Sequence, residues 1–315
     1  MDPIYVILII AASLIAVILL ISYVCYSMAF KAEKGERDPH APIKLAGYAE
    51  VRDRMEALIT EIEATPYEAV TITSHDGLPL TARYYHYADG APVEIQMHGY
   101  RGHALRDFCS GARDARDRGH NLILVNQRSH GGSGGRCITF GVKERYDCLS
   151  WVNYAVERFG YGVKIILVGI SMGAATVLMA SELDLPKNVK CIMADCPYSS
   201  PKAIIKKVIG DMKLPASLAF PFVRLGGLIY GGFDVCAASA VEAIKNTSIP
   251  ILLIHGEGDS FVPSYMSEEI YAASDKTHTR LVTFPGAEHG LSYFSDTEGY
   301  LCEVVALMNK ALEDR

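Results

Sequence analysis

The hydrophobic pattern changes character three times along the chain. From Ile4 to Phe30 no residue is charged and serines are the only strongly polar interruptions. A helix rises about 1.5 Å per residue and about 20 apolar residues cross the hydrocarbon core, so residues 1–30 are predicted to be a single uncleaved transmembrane anchor. A cleaved signal peptide would carry basic residues ahead of a shorter apolar core, and nothing basic precedes Lys31. Residues 31–47 are mixed in charge, hold Gly35, Pro39 and Pro42, and read as a juxtamembrane linker. Residues 48–64 place Val51, Met55, Leu58, Ile59 and Ile62 on one helical stripe, an amphipathic helix packing on a domain edge or lying near the membrane.

Beyond residue 65 the period shortens. Glu68–Thr73 and Leu80–Tyr87 are β-rich and flank the turn Ser74-His75-Asp76-Gly77, predicting a hairpin. Short apolar runs then alternate with helical stretches. The runs are Val93–Met97, Leu122–Val125, Lys164–Val168, Val189–Ala194, Ile249–Ile254 and Arg280–Thr283; the helices fall near 104–118, 141–159, 172–184, 263–273 and 291–313. Strands that hardly alternate are buried on both faces, which predicts an α/β domain over 66–315: a mainly parallel sheet of about eight strands clothed by helices. One connection is long. The segment 197–245 holds the helical candidates Ala203–Met212, Leu214–Tyr230 and Ala237–Lys245, and reads as a small helical cap over the carboxyl ends of the strands, where open α/β sheets place ligands.

Composition narrows the function. Half of the 315 residues are hydrophobic and the net charge is −6 without a basic block, which excludes a disordered chain and a dedicated nucleic-acid binder. The eight cysteines are scattered without CxxC spacing, weakly favouring a reducing compartment. Lys31, Lys34 and Arg37 follow the apolar run and no cation precedes it. The positive-inside rule therefore puts the bulk of the chain in the cytoplasm, with a very short tail outside. Asn246-Thr247-Ser248 is a sequon that matters only on a lumenal face.

The sharpest chemical signal is Gly169-Ile170-Ser171-Met172-Gly173, directly after a predicted strand and before an apolar helix. That is the context of a nucleophile elbow, in which Gly169 and Gly173 relieve crowding and the serine stands at a helix N-terminus. A serine needs a base. His289 lies after the last predicted strand, on the same rim as Ser171. An orienting carboxylate is then required; Asp259 fits, in a Gly-rich loop after the penultimate strand, with Asp195 the runner-up and Glu257 and Glu288 weaker. The order Ser171, Asp259, His289 is the one this geometry takes. The N–H of Tyr100, beside the permissive Gly99, and that of Met172 would form an oxyanion hole. His98 reads as a loop residue. His98, His103, His120 and His130 lack metal-ligand spacing, so no metal is expected. The run Gly131 to Gly135 lacks a phosphate-loop sequence and reads as a rim turn.

With these residues in place the chain resembles the α/β-hydrolases, in particular a membrane-anchored form of the monoacylglycerol-lipase-like and serine-aminopeptidase-like branch. The resemblance is carried by His98-Gly99-Tyr100, the loop Arg128 to Ser133, the elbow at Ser171, the Asp259 loop with Val262-Pro263, and His289-Gly290, over roughly residues 66–313. It implies the α/β-hydrolase fold, a serine nucleophile, a two-amide oxyanion hole, no metal and no organic cofactor. Asn126 departs from relatives that carry Asp there and bears on loop packing. The function expected is hydrolysis of a carboxylic ester, lipid-like or acylglycerol-like, through an acyl-enzyme, with the bilayer as a partner through residues 4–30. A peptidase or thioesterase of the same fold and a non-catalytic binding protein are the alternatives. Oligomeric state is open.

Overall fold

The computed structural model describes residues 2–33, 35 and 37–313. Lys34, one of the cations behind the orientation argument, Glu36 and the last two residues of the domain lie outside the described residues.

Helix α1 (Pro3–Ala29) is long and apolar enough to cross a membrane, and nearly all of its side chains are exposed. Helix α2 (Tyr48–Ala64) buries Met55, Leu58, Ile59 and Ile62, the stripe the periodicity predicts. It packs on the domain edge against α4 (Cys109–Asp117), one of the two placements the sequence allows. The strands are β1 (Glu68–Thr73), β2 (Pro79–Tyr85), β3 (Val93–Met97), β4 (Asn121–Val125), β5 (Ile165–Ile170), β6 (Val189–Asp195), β7 (Ile251–Gly256) and β8 (Thr279–Phe284). They form one 8-stranded sheet in the order β1-β2-β4-β3-β5-β6-β7-β8. β2 runs antiparallel to both β1 and β4; all other pairs are parallel.

Every residue of β3, β4 and β7 is buried, because helices cover both faces. Ile165 and Leu167 of β5 face one core with α5 (Glu144–Phe159) and α6 (Met172–Ala180). Ile166 and Val168 face the other, with α3 (Ala104–Asp107), α4 (Cys109–Asp117) and α12 (Thr297–Glu313). This is the α/β-hydrolase fold that the sequence led us to expect.

Differences are local and have physical causes. β2 stops at Tyr85, short of the predicted Tyr87, because the Tyr87 and Ala88 amides donate to the Asn121 side chain at 2.7 and 3.2 Å. The predicted helix 104–118 breaks at Phe108, whose ψ is 24°. The C-terminal helical stretch breaks at Asp296, which accepts from the Gly299 amide at 2.9 Å, dividing α11 (Ser292–Ser295) from α12. The cap consists of α7 (Pro201–Asp211), α8 (Ala216–Gly226) and the short α9 (Ala240–Ala243); α8 continues as a π turn over Gly227–Gly231. The remaining helix, α10 (Tyr265–Ala273), connects β7 to β8.

The segment 31–47 is more than a linker. Phe30 is completely buried, its carbonyl accepts from the Ile138 amide at 2.7 Å, and Lys31 bridges to Cys137. The end of α1 also docks on α8: Tyr230 Oη donates to Leu19 O at 3.0 Å, and a side chain on Gly226 would collide with the Ser22 carbonyl.

Candidate active site

The elbow is built from close backbone approach. Ser171 follows β5 and precedes α6 with φ 55° and ψ −116°, a conformation costing roughly 1–3 kcal/mol that the surroundings must impose. A Cβ on Gly169 would strike the carbonyl of Gly173. One on Gly173 would strike Met97 O and lie 2.8 Å from His98 O at the end of β3. Both glycines are therefore required by contact, and α6 can start only where they stand. The first N–H of that helix, on Met172, has no intrahelical acceptor.

The structure brings the three distant side chains together. His289 Nε2 lies 2.9 Å from Ser171 Oγ, and His289 Nδ1 lies 2.6 Å from Asp259 Oδ2. Asp259 Oδ1 accepts from the Phe261 and Val262 amides at 2.9 and 2.7 Å. An acceptor at Nδ1 puts the ring proton there and leaves Nε2 to accept the serine proton. Burial opposes the Asp259 charge, but hydrogen bonds from His255 and His289 outweigh it and hold the carboxyl down at about 2. His255 lies 3.3 Å from Asp259 Oδ2 and is itself tied to Val262 O at 2.7 Å and Ser267 Oγ at 2.6 Å. Sequence reasoning did not single out His255; its place four residues before Asp259 is the only signal.

Asp195 is separate. Its Oδ2 accepts from Tyr300 Oη at 3.2 Å, its other oxygen has no partner among the described residues, and burial pushes its carboxyl up to about 6. The folded state therefore holds the Asp195 proton more tightly than an unfolded chain, whose carboxyl titrates near 4. Stability from this group is full below pH 4 and lost as pH rises through 6. Asp195→Asn is expected to raise the unfolding temperature at pH 8 by an amount on the order of 2 kcal/mol in stability, and to converge on the parent near pH 4. Calorimetry at the two pH values checks it. Glu257 and Glu288 are engaged elsewhere, by Thr283 Oγ1 at 2.8 Å and Ser260 Oγ at 3.3 Å.

Gly99 lies against the serine, where a Cβ would sit 3.4 Å from Ser171 Cβ. The amides on either side of Tyr100 are spent, Gly99 N on Asp107 Oδ2 at 3.0 Å and Arg101 N on His130 Nε2 at 3.1 Å. Among the described residues the Tyr100 N–H donates to no protein acceptor. His98 supports this loop, with Nε2 accepting from Gln127 N at 3.1 Å and Nδ1 donating to Gly99 O at 2.8 Å. Burial drives its basicity down to about 3, so it stays neutral. Asn126 packs under Gly131 and donates to Thr81 Oγ1 at 3.1 Å, a loop-packing role.

A cavity of about 400 Å³ opens beside Ser171 and His289. Its walls include Gly99, Tyr100, Asp195 and Phe261, but also Arg37, Leu45 and Tyr48; no residue of α7, α8 or α9 lines it. The sequence assigned that wall to the cap. It comes instead from the stretch before and at the start of α2, where Gly47 and Tyr48 pack against Glu288, Gly290 and Leu291 around the histidine. The cap touches the acid loop from the side, with Lys207 Nζ donating to Ser260 O at 2.5 Å.

Among the described residues, two clusters have the composition of metal sites. Cys196, Asp259 and His289 converge, but burial holds the Cys196 thiol protonated, well above its ordinary range, and both imidazole nitrogens face Asp259 and Ser171. In the cluster of His75, Asp76 and Asp147 the two carboxylates already receive the Arg128 guanidinium, at 3.0 Å on Asp76 and 2.6 Å on Asp147.

Comparison with known proteins agrees with this architecture. The family profile for the alpha/beta hydrolase fold matches residues 97–219. The uncharacterized protein YqkD of Bacillus subtilis is 25% identical over 185 residues, covering 58% of this chain and 60% of that protein. Human protein ABHD12B is 24% identical over 227 residues, covering 66% and 59%. The match thus spans about 60% of the length of these curated relatives. Among solved structures, the Pyrococcus furiosus esterase Pf2001 superposes with a TM-score of 0.64 at 22% identity, over 88% of this chain and 98% of that one. Est1E of Butyrivibrio proteoclasticus, solved with ferulic acid bound, superposes with a TM-score of 0.58 at 20% identity, over 78% and 100%. The chain has the alpha/beta hydrolase fold and is similar in sequence to proteins that carry it.

Proposed function

We propose that the protein is a serine hydrolase that cleaves a carboxylic ester. The observation that carries this is the hydrogen-bonded chain from Ser171 through His289 to Asp259, on an elbow that nothing but glycine at 169 and 173 permits. His289 Nε2 takes the serine proton as Oγ attacks the ester carbonyl, and Asp259 stabilises the imidazolium. The amides of Tyr100 and Met172 receive the developing oxyanion. The imidazolium Nε2–H then protonates the leaving alkoxide, and the same nitrogen later activates water against the acyl-serine. The structural neighbour Pf2001 is an esterase, which supports the same reading, as does a cavity that reaches Ser171 directly.

The site works at a membrane surface in this reading. Helix α1 enters the bilayer, with the domain on the cytoplasmic side that Lys31 and Arg37 favour. Leu218, Leu228 and Ile229 are exposed on the cap beside it, an arrangement suited to lipid-like esters. Stopped-flow mixing with p-nitrophenyl butyrate tests the mechanism: an acyl-enzyme gives a burst of about one equivalent of p-nitrophenolate per chain. A strictly linear release with Ser171→Ala equally active would contradict it.

A further inference from the structure

We propose, resting on the serine-hydrolase reading, that the carboxyl end of α1 positions the Tyr100 amide, making the N-terminal helix a working part of the reaction centre. An α-helix leaves its last carbonyls without intrahelical donors. In α1 the Tyr26 carbonyl is closed by the Phe30 and Lys31 amides at 2.8 and 3.1 Å. The carbonyls of Met28 and Ala29 are closed from the oxyanion loop. Tyr100 Oη donates to Ala29 O at 2.9 Å, and Arg101 Nη2 donates to Met28 O at 2.9 Å. The last turn of α1 carries no basic residue of its own, so Arg101 also supplies the cation that the negative end of a helix favours.

The contact extends into the core. The Tyr100 ring stacks on Phe140 with centroids 4.8 Å apart, and Phe140 meets Phe30 edge-on at 5.8 Å. Phe30 meets Phe233 edge-on at 5.0 Å. The side chain of Tyr100 is thus clamped between the helix end and the domain, while its backbone N–H, between two committed amides, meets no protein acceptor among the described residues. Arg101 holds a left-handed φ of 50°, so the loop does not rest in a relaxed conformation of its own. A small displacement of a preorganised donor costs less than its removal, which typically lowers the rate about 10²–10³-fold.

The test uses the full chain in detergent micelles, with p-nitrophenyl butyrate as substrate and a trifluoromethyl ketone as the probe of the tetrahedral state. Tyr100→Phe deletes only the hydroxyl. It is expected to lower kcat about tenfold with KM within about twofold, and to weaken the ketone by the same factor. Arg101→Gln, which loses the companion bond, shifts kcat in the same direction. Tyr230→Phe cuts a bond of the same kind to Leu19 O, on the same helix but from the cap, and leaves all three values unchanged. The inference fails if Tyr100→Phe behaves like Tyr230→Phe, or if its loss appears in KM while the ketone binds as before. A parent chain with neither ester turnover nor ketone binding overturns the serine-hydrolase reading and this inference together; an active parent matched by Tyr100→Phe overturns this inference alone.

Discussion

Ser171→Ala is expected to lower kcat for ester hydrolysis on the order of 10⁵-fold while leaving the unfolding temperature within a few degrees of the parent. The change removes one oxygen, which is hydrogen-bonded to the His289 side chain. It also relieves nothing in the backbone, because an alanine at φ 55° meets the same strain as the serine. The acid gives a finer discrimination. Asp259→Asn replaces the acceptor on His289 Nδ1 and favours the wrong imidazole tautomer, so it should cost about 10³–10⁴-fold in kcat. Asp195→Asn should cost far less, since Asp195 is bonded to Tyr300 and His289 is not among its hydrogen-bond partners. Steady-state rates on one activated ester rank the variants. If Asp195→Asn were the more damaging of the two, the acid would have been misassigned.

Gly173→Ala should be the most disruptive single methyl in the domain. Its added carbon would fall on the Met97 carbonyl and within 2.8 Å of His98 O, both backbone atoms that cannot rotate away. Forced overpacking costs typically 1–3 kcal/mol and occasionally more. Here relief requires α6 to withdraw from β3, and that carries Ser171 away from Gly99. The expected result is a stability loss of about 3 kcal/mol with turnover reduced at least about 100-fold. Urea unfolding and ester assays on the same preparation check both. Gly210→Ala serves as the reference: Gly210 sits within α7 with nothing near its missing Cβ, and alanine there should be neutral or stabilising.

What was legible in the sequence was whatever depends on nearby residues. The elbow could be read because strand, glycine, serine, glycine and helix adjoin. The parallel sheet could be read because β4 and β5 are apolar at nearly every position. The acid could not be fixed from spacing alone: Asp195 and Asp259 both follow a strand's carboxyl end, and only the neighbouring positions of β7 and β8 bring the 259 and 289 loops together. The docking of α1 was hidden for another reason. A helix apolar on every side does not announce which stripe is buried, and the one that is, Ser22 and Tyr26, became visible only against Gly226. The cavity wall at Arg37, Leu45 and Tyr48 belongs to a stretch with no periodicity ahead of α2. Its partners lie some 240 residues away, around Gly290.

The most direct test of the account is the site of covalent capture. The full chain treated with a fluorophosphonate should gain the mass of one phosphonyl group, and peptide mapping should place it on Ser171. His289→Ala should slow that reaction severely. An adduct on another residue, or no adduct on a folded chain that still hydrolyses esters, would contradict it.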